Sequence, residues 1–241
     1  MRSYLALLAV VFGLIFAQEG RAASLQVSPI SVDLTAPARA SSVNLRNTGT
    51  RPVNVQIRVF KWTQTEGKDQ LVPALDVVAS PPAASIQPDA AYTIRIARNG
   101  SAPPAGGEGA YRLLIDELPE VNLRRSNTGV GFVVQYSIPV FFGTRSASSE
   151  LHWNISRDKG NLVLEATNKG NRHAKIANLK VTSSVGPLPF GNGLNGYVLP
   201  GSTMRWVAPV GARHISPGSS VNITASGDDY AVNESATVTG R

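Results

Sequence analysis

Cysteine is absent from this 241-residue sequence, and histidine occurs only three times. Without cysteine the chain forms no disulfide bond and offers no thiolate as a nucleophile or metal ligand. His152, His173 and His214 are far apart and lack the short spacings of metal-binding motifs. A Gly-x-Ser-x-Gly motif and a phosphate-binding glycine loop are also missing. We therefore expect no catalytic residue, no metal and no cofactor, and we predict that the protein is not an enzyme.

The acidic residues do not form a catalytic pair either. Asp116 and Glu117 are adjacent in a segment typical of a β-strand, so their side chains point to opposite faces. Asp228 and Asp229 stand in a Gly-Asp-Asp-Tyr sequence, where such residues more often form a turn than a calcium site.

Acidic residues are also fewer than basic ones, 16 against 23, which gives a formal net charge of +7. The basic residues are scattered apart from Arg124-Arg125, and no run of them alternates with aromatic residues. This distribution does not favour binding to nucleic acid.

The N-terminus has the layout of a secretory signal peptide. Arg2 supplies a positive charge and Leu5 to Ala17 form a short apolar run, with Gly20 and Ala22 at the −3 and −1 positions of a cut before Ala23. The alternative, a membrane anchor, would require roughly 20 apolar residues. We predict cleavage near Ala22, export to the periplasm and no stable membrane insertion.

Most of the remaining chain is typical of short β-strands. The odd positions from Val53 to Val59 are apolar and alternate with Asn54, Gln56 and Arg58, the pattern of a half-buried strand. Proline- and glycine-rich turns separate such segments, and no long helical periodicity is present. The sequence therefore predicts an all-β fold built from β-sandwiches.

An internal similarity divides the chain into two halves. Leu45–Val55 and Ala166–Ile176 both contain an Asn-x-Gly-x-Arg turn between strand-like segments, although chance similarity of two hairpins would give the same pattern. A small polar stretch, Gly143–Ser149, lies between the halves. The prediction is a signal peptide at 1–22 and two immunoglobulin-like β-sandwich domains, at 23–145 and 146–241.

The stretch GVGFVVQYSIPVFFG, residues 129–143, is apolar on both faces for much of its length. A solvated edge strand with this composition would promote aggregation, so it is either a core strand or a strand that a partner covers. The bulky side chains on one face are those of Val130, Phe132, Val134 and Tyr136. Further along, we expect Ile138, Val140 and Phe142 to pack within their own domain.

The segment YRLLIDELP, Tyr111–Pro119, resembles the F strand in the first domain of the periplasmic pilus (fimbrial) chaperones. Shorter pieces match in the same order along the chain: Ser24-Leu25, Ser80-Pro81-Pro82, Ile86-Gln87-Pro88 and Asp228-Asp229-Tyr230. The resemblance implies two immunoglobulin-like domains in an L-shaped (boomerang) arrangement. It also implies that a strand of the first domain completes the unfinished sandwich of a pilin subunit by donor-strand complementation.

By this resemblance, Val130, Phe132 and Val134 are the pilin-binding donor residues, with Tyr136 at the margin. The implied partners are pilin subunits and an outer-membrane usher, and self-association of the free chaperone stays possible. The alternative is a two-domain immunoglobulin-like structural or adhesive surface protein, or a pilus subunit. A pilin would carry its donor segment at the mature N-terminus, whereas this segment lies in mid-chain.

Family members hold the C-terminal carboxylate of the pilin with two basic residues, and this sequence has Pro29 and Pro139 at the corresponding places. Proline cannot bind an anion through its side chain or a backbone N–H. Arg112 is the first candidate for a replacement anchor and Arg98 the second, because a guanidinium matches a carboxylate well. The presence of proline at both of these positions resembles the archaic or alternative branch of the family.

The resemblance also implies a network of ion pairs between the two domains. Arg95, Glu117 and Asp229 stand at the matching places, with Asp228 as the alternative to Asp229. Such a network would fix the angle between the domains more than it would add stability.

Overall fold

The computed structural model describes residues 25–100, 107–119, 133–208, 215–228 and 231–240. These residues form β-strands joined by turns and contain no helix. A helix long and apolar enough to cross a membrane is therefore not found in them. The all-β prediction is confirmed.

The first half of the chain forms two sheets that face each other. One has the strand order β1-β3-β8-β6, and the other has the order β2-β10-β9-β4-β5 with β7 paired to β4. The strands are β1 (Leu25–Ser28), β2 (Val32–Thr35), β3 (Ala40–Asn47), β4 (Val53–Thr65), β5 (Lys68–Pro73), β6 (Val77–Ser80), β7 (Ala83–Ile86), β8 (Ala91–Arg98), β9 (Gly109–Leu118) and β10 (Gln135–Gly143).

The second half repeats this plan with two smaller sheets. Their strand orders are β11-β12-β16 and β14-β13-β17-β18, with β15 paired to β13. The strands are β11 (Leu151–Asp158), β12 (Asn161–Asn168), β13 (Ala174–Ser183), β14 (Gly186–Leu188), β15 (Leu194–Val198), β16 (Thr203–Ala208), β17 (Ser220–Ser226) and β18 (Ala231–Thr237).

Each half has its own apolar core, and strand alternation decides which side chains enter it. In β8, Ile94 and Ile96 are fully buried while Arg95 between them is exposed. The inward row of β10, Ile138, Val140 and Phe142, lies in the core of the first half as expected. Because inward and outward residues alternate on every strand, the period-2 patterns of the sequence indicate the core directly.

The two Asn-x-Gly-x-Arg turns form the same hydrogen bonds. Asn47 is fully buried, and its side-chain amide donates to the carbonyl oxygens of Arg51 at 2.7 Å and Ile86 at 3.0 Å. Its Oδ1 accepts the backbone N–H of Gly49 at 2.9 Å. One side chain therefore closes its own turn and fixes a neighbouring strand.

Asn168 repeats the arrangement in the second half. Its amide donates to the carbonyl oxygens of Arg172 at 2.7 Å and Val198 at 3.0 Å, and its Oδ1 accepts the N–H of Gly170 at 3.0 Å. The sequence similarity therefore reflects a shared structural device, in which a buried asparagine ties a turn to the sheet beside it.

We predict that Asn47→Ala and Asn168→Ala each lower the free energy of unfolding by about 2–4 kcal/mol. Removing Asn47 leaves two carbonyl oxygens and one N–H without their partner, and removing Asn168 leaves two carbonyl oxygens and the N–H groups of Gly170 and Glu150 without theirs. Asn54→Ala, at an exposed position of β4, is the matched control and is expected to change it by less than about 0.5 kcal/mol. Chemical denaturation of the three variants measures the difference. Equal effects at buried and exposed positions would contradict the role given to the two turns.

Candidate functional site at the β10 edge and the junction of the halves

Strand β10 is paired along its whole length on one side but only at its end on the other. It pairs antiparallel with β9 from Gln135 to Phe142, whereas β2 joins it in parallel only from Val140 to Gly143. The described parts of the chain therefore provide no strand beside the open edge, Gln135 to Pro139. A partner strand can add to this edge through the backbone.

The hydrogen-bond pattern shows which groups the open edge presents. The N–H of Glu117 donates to the carbonyl oxygen of Val134 at 3.0 Å. Because groups alternate along an antiparallel pair, the backbone of Gln135, Ser137 and Pro139 faces away from β9. Gln135 and Ser137 therefore offer both donor and acceptor groups, while Pro139 has no N–H to donate.

Val130 and Phe132, two of the four predicted donor residues, lie outside the described residues. Val134 is half-buried just before β10, and its neighbour Val133 is 59 % exposed. Tyr136 instead packs against the core of its own half, and its hydroxyl donates to the carbonyl oxygen of Leu25. Tyr136 thus marks the place where the inward row becomes part of the protein's own sandwich, and the donor role of the other three stays a prediction.

Arg112 lies directly beside Pro139. The two residues are cross-strand neighbours in the pairing of β9 with β10. Its guanidinium lies 3.7 Å from the centre of the Trp62 ring and 5.6 Å from that of Tyr197. The nearest described carboxylate, that of Asp69, is 3.9 Å away. Burial lowers the pKa of Arg112, but a guanidinium stays charged in proteins, so the positive charge is held at this place.

Arg98 occupies a different place. It ends β8 in the opposite sheet, with its guanidinium 5.8 Å from the Phe142 ring and its Nε buried without a hydrogen bond. Nearby, the hydroxyl of Tyr111 donates to Asp76 at 2.6 Å, and burial followed by this bond raises the pKa of Tyr111. The structure does not bring Arg98 to the outer face that carries Arg112.

The expected ion pair between Arg95 and Glu117 is not formed in the described residues, and the strand geometry explains why. Arg95 points outward from its sheet. Glu117 lies nine residues beyond Glu108, roughly 30 Å along β9 and away from the second half. Asp229 lies outside the described residues, and Asp228 pairs with Lys175 of its own half at 2.7 Å.

Two other charged contacts join the halves. Arg172 forms a salt bridge with Asp33 at 2.6 Å. Glu108 accepts the backbone N–H of His173 at 2.9 Å and also contacts its Nδ1 at 2.9 Å. The Glu108 and His173 side chains are only 1 % and 6 % exposed. Glu108 and His173 are 65 positions apart in the chain, and no local sequence pattern links them.

An aromatic cluster fills the space beside this pair. Phe141, on the outer face of β10, stacks on the His173 ring with 3.5 Å between ring centres. Trp62 and Tyr197 meet edge to face at 5.5 Å. Gln64 adds two hydrogen bonds, donating to the carbonyl oxygen of Tyr197 and accepting the N–H of Leu199, both at 2.9 Å. The junction is thus a packed interface that holds β10 from its outer face.

Close backbone contact also explains two glycines at the junction. A Cβ atom on Gly107 would lie 2.8 Å from Asn171, and one on Gly170 would lie 2.2 Å from the carbonyl oxygen of Ser148. The described residues contain no group of three histidine or acidic side chains that could hold a metal ion.

The family model for the N-terminal domain of PapD, described as a pili and flagellar-assembly chaperone, matches residues 24–145, which is half of the chain. The chain belongs to this family. Search of the curated sequences finds no match to the chaperone. The solved structures that resemble it share the fold of two immunoglobulin-like domains.

One similar structure is the pre-assembly complex of the chaperone CsuC with the tip adhesion subunit CsuE, from the archaic chaperone-usher Csu pili of Acinetobacter baumannii. The match has 28 % identity and a TM-score of 0.68, and it covers 90 % of this chain and 100 % of that chain. The Pseudomonas aeruginosa chaperone CupB2 matches with 17 % identity and a TM-score of 0.59, over 89 % and 100 % of the two chains.

A third similar structure is the Salmonella enterica pilin SafA in complex with the chaperone SafB. It matches with 16 % identity and a TM-score of 0.62, over 90 % of this chain and 98 % of that chain. At such identities, CupB2 and this complex support the fold alone.

We predict that Glu108→Ala lowers the free energy of unfolding by about 3 kcal/mol, because the buried N–H of His173 loses a charged acceptor. Glu150→Ala is the control, since Glu150 is 65 % exposed and pairs with His152 at the surface; its effect should stay below about 0.5 kcal/mol. Thermal and urea unfolding provide the comparison. A loss no greater than that of the control would show that Glu108 does not join the halves.

Proposed function

We propose that this chaperone binds pilin subunits in the periplasm by donor-strand complementation and delivers them to an outer-membrane usher. The open edge of β10 from Gln135 to Pro139 carries the proposal, since the described residues leave its backbone groups without a neighbouring strand. The segment that leads into this edge is apolar, and a pilin with an incomplete sandwich would cover it.

The side chains give the edge its affinity for a hydrophobic groove. In the sequence, Val130, Phe132 and Val134 alternate in step with the inward row of β10, and as donor residues they would enter the pilin. If fully buried there, each contributes roughly 1.5–3 kcal/mol. The next residue in this row is Tyr136, whose hydroxyl donates a hydrogen bond to the carbonyl oxygen of Leu25 in the chaperone itself. The same edge gives the free chaperone a route to self-association, through pairing of two copies.

Arg112 is the proposed anchor for the C-terminal carboxylate of the pilin. Its position next to Pro139 places a fixed positive charge one strand away from the site where the family uses a basic residue. Trp62 supports the guanidinium from one face, and the nearest carboxylate described, that of Asp69, is 3.9 Å away. An incoming carboxylate at hydrogen-bond distance would therefore be a stronger partner. Arg98 stays the second candidate.

The N-terminal sequence supports export to the periplasm. The apolar run Leu5–Ala17 and the small residues Gly20 and Ala22 have the pattern that a signal peptidase recognises. The absence of cysteine means that both sandwiches fold in an oxidising compartment without forming disulfides.

Donor residues can be tested by capture of a co-expressed pilin. We expect Phe132→Asp and Val134→Asp to abolish the soluble 1:1 complex, because each places a charge in an apolar groove. Val185→Asp is the control, since Val185 is an exposed valine of the second half. Size-exclusion chromatography of periplasmic extracts measures the complex. Retention of the complex by both donor variants would overturn the donor assignment.

The anchor is tested separately. Arg112→Ala is expected to weaken pilin capture at least tenfold, through loss of a charge-assisted hydrogen bond, while Arg112→Lys retains part of it. Arg58→Ala removes an exposed arginine that pairs with Asp116 and is the control. A pilin lengthened by two residues at its C-terminus should bind the wild-type chaperone more weakly than the native pilin does. Arg112→Ala should bind the native and the lengthened pilin equally. If wild type and Arg112→Ala distinguish the two pilins to the same extent, Arg112 is not the anchor.

A further inference from the structure

Asp69 is the carboxylate paired with Arg112, yet it does not bind the guanidinium closely. Its Oδ2 atom lies 3.9 Å from Nη2 of Arg112, whereas a charge-assisted hydrogen bond between such groups is about 2.7–2.9 Å long. The described residues form no hydrogen bond with this guanidinium. The two charges therefore attract each other across a gap, and the N–H groups of Arg112 keep their capacity to donate.

Gln64 gives Asp69 a hydrogen-bond partner of its own. The two residues face each other across the hairpin of β4 and β5, and the side-chain amide of Gln64 donates to Oδ1 of Asp69 at 2.9 Å. The same amide group donates to the carbonyl oxygen of Tyr197, and its oxygen accepts the N–H of Leu199. The residue that binds Asp69 is therefore itself attached to the second half.

The tip of this hairpin is attached to the second half as well. Gly67 forms a β-bridge with Met204 of β16. Its φ of +72° is in the left-handed region that suits glycine, and a Cβ atom there would lie 3.1 Å from Cβ of Arg205. Contacts at the tip and at Gln64 thus hold the strand that carries Asp69, so the fold sets its position relative to Arg112.

The charges of Asp69 and Arg112 influence each other, and solvent reaches both groups. Burial lowers the pKa of Arg112, and the charge of Asp69 acts in the opposite direction. The side chain of Arg112 is 16 % exposed and that of Asp69 is 46 % exposed. A carboxylate that arrives at Arg112 from solvent would bring a second negative charge to a single positive one. Because like charges a few ångströms apart repel, Asp69 opposes its binding.

We propose that Asp69 is a specificity-determining residue of the anchor, an internal counter-ion that competes with the partner's terminal carboxylate for Arg112. The inference rests on the proposed function, because it concerns the carboxylate that Arg112 would hold. A neutral chain end leaves Arg112 with the counter-ion it already has. A carboxylate at hydrogen-bond distance replaces a contact of 3.9 Å with a stronger one. The competition also limits how tightly the partner is held, which favours its later release.

Competition between two tagged chaperones for one co-expressed pilin tests the effect. Asp69→Asn keeps an oxygen that accepts from Gln64 and removes only the charge. We expect it to bind the native pilin about fivefold more tightly than wild type does. A pilin lengthened by two residues at its C-terminus should bind both equally, because its carboxylate is displaced from Arg112. The ratio of the two purified complexes measures the relative affinity.

Asp158→Asn is the matched control. Asp158 pairs with Arg205 at 2.9 Å and is 50 % exposed, so the substitution removes the same charge from a similar pair on the second half. It should compete equally with wild type for either pilin. In an Arg112→Ala background, Asp69→Asn should no longer increase the affinity for the native pilin.

Sodium acetate provides a second test that needs no pilin. The full mature chain is titrated with acetate at constant ionic strength, and the ¹⁵N chemical shift of the Arg112 guanidinium reports binding; Arg112→Lys identifies the signal. We expect the Kd of acetate to be about fivefold lower in Asp69→Asn than in wild type, and unchanged in Asp158→Asn.

The outcomes separate this inference from the proposed function. Equal acetate affinity in wild type and Asp69→Asn would overturn the inference. It is also wrong if pilin capture depends on Arg112 but not on Asp69, in which case the anchor stands. Capture that Arg112→Ala leaves unchanged would exclude both the anchor and its counter-ion, while the chaperone function stands. If acetate shows the gain but no form captures pilin, the proposed function fails and the competition at Arg112 stands.

Discussion

The structure depends on a strand that is held firmly at one end and left open at the other. From Val140 onward, β10 has β9 on one side and β2 on the other, whereas from Gln135 to Pro139 it has β9 alone among the described strands. An open strand edge invites any other edge to pair with it. The remainder of the fold therefore has to fix the strand without covering it.

The junction between the halves provides that support. Phe142 enters the core of the first half from one face of β10, while Phe141 stacks on His173 from the other. His173 is itself held by the buried carboxylate of Glu108, which precedes β9. Two neighbouring strands are thus fixed by a single residue of the second half. The second sandwich thus supports the outer face of the sheet that contains β10.

Local patterns predicted much of the fold, and contacts distant in sequence explain what they missed. Alternation placed Ile138 and Phe142 in the core, and the repeated Asn-x-Gly-x-Arg turn indicated two similar halves. Glu117 was assigned to the junction by its motif, yet strand direction carries it to the opposite end of β9. Glu108, at the near end of the same strand, makes the contact instead, and its partner His173 lies in a turn that the sequence marks only for its asparagine.

Pro139 connects the open edge to the anchor. It faces the open side of β10, where it has no N–H to donate, so a partner strand that runs along Gln135 and Ser137 loses a hydrogen bond on reaching it. Beyond it, β2 occupies the edge. A partner chain that pairs here therefore has a physical reason to end near Pro139, and its terminal carboxylate would then lie one strand from the guanidinium of Arg112. If a partner strand pairs along this edge, Pro139 would limit where that strand ends, and the guanidinium of Arg112 on the neighbouring strand would lie near that end.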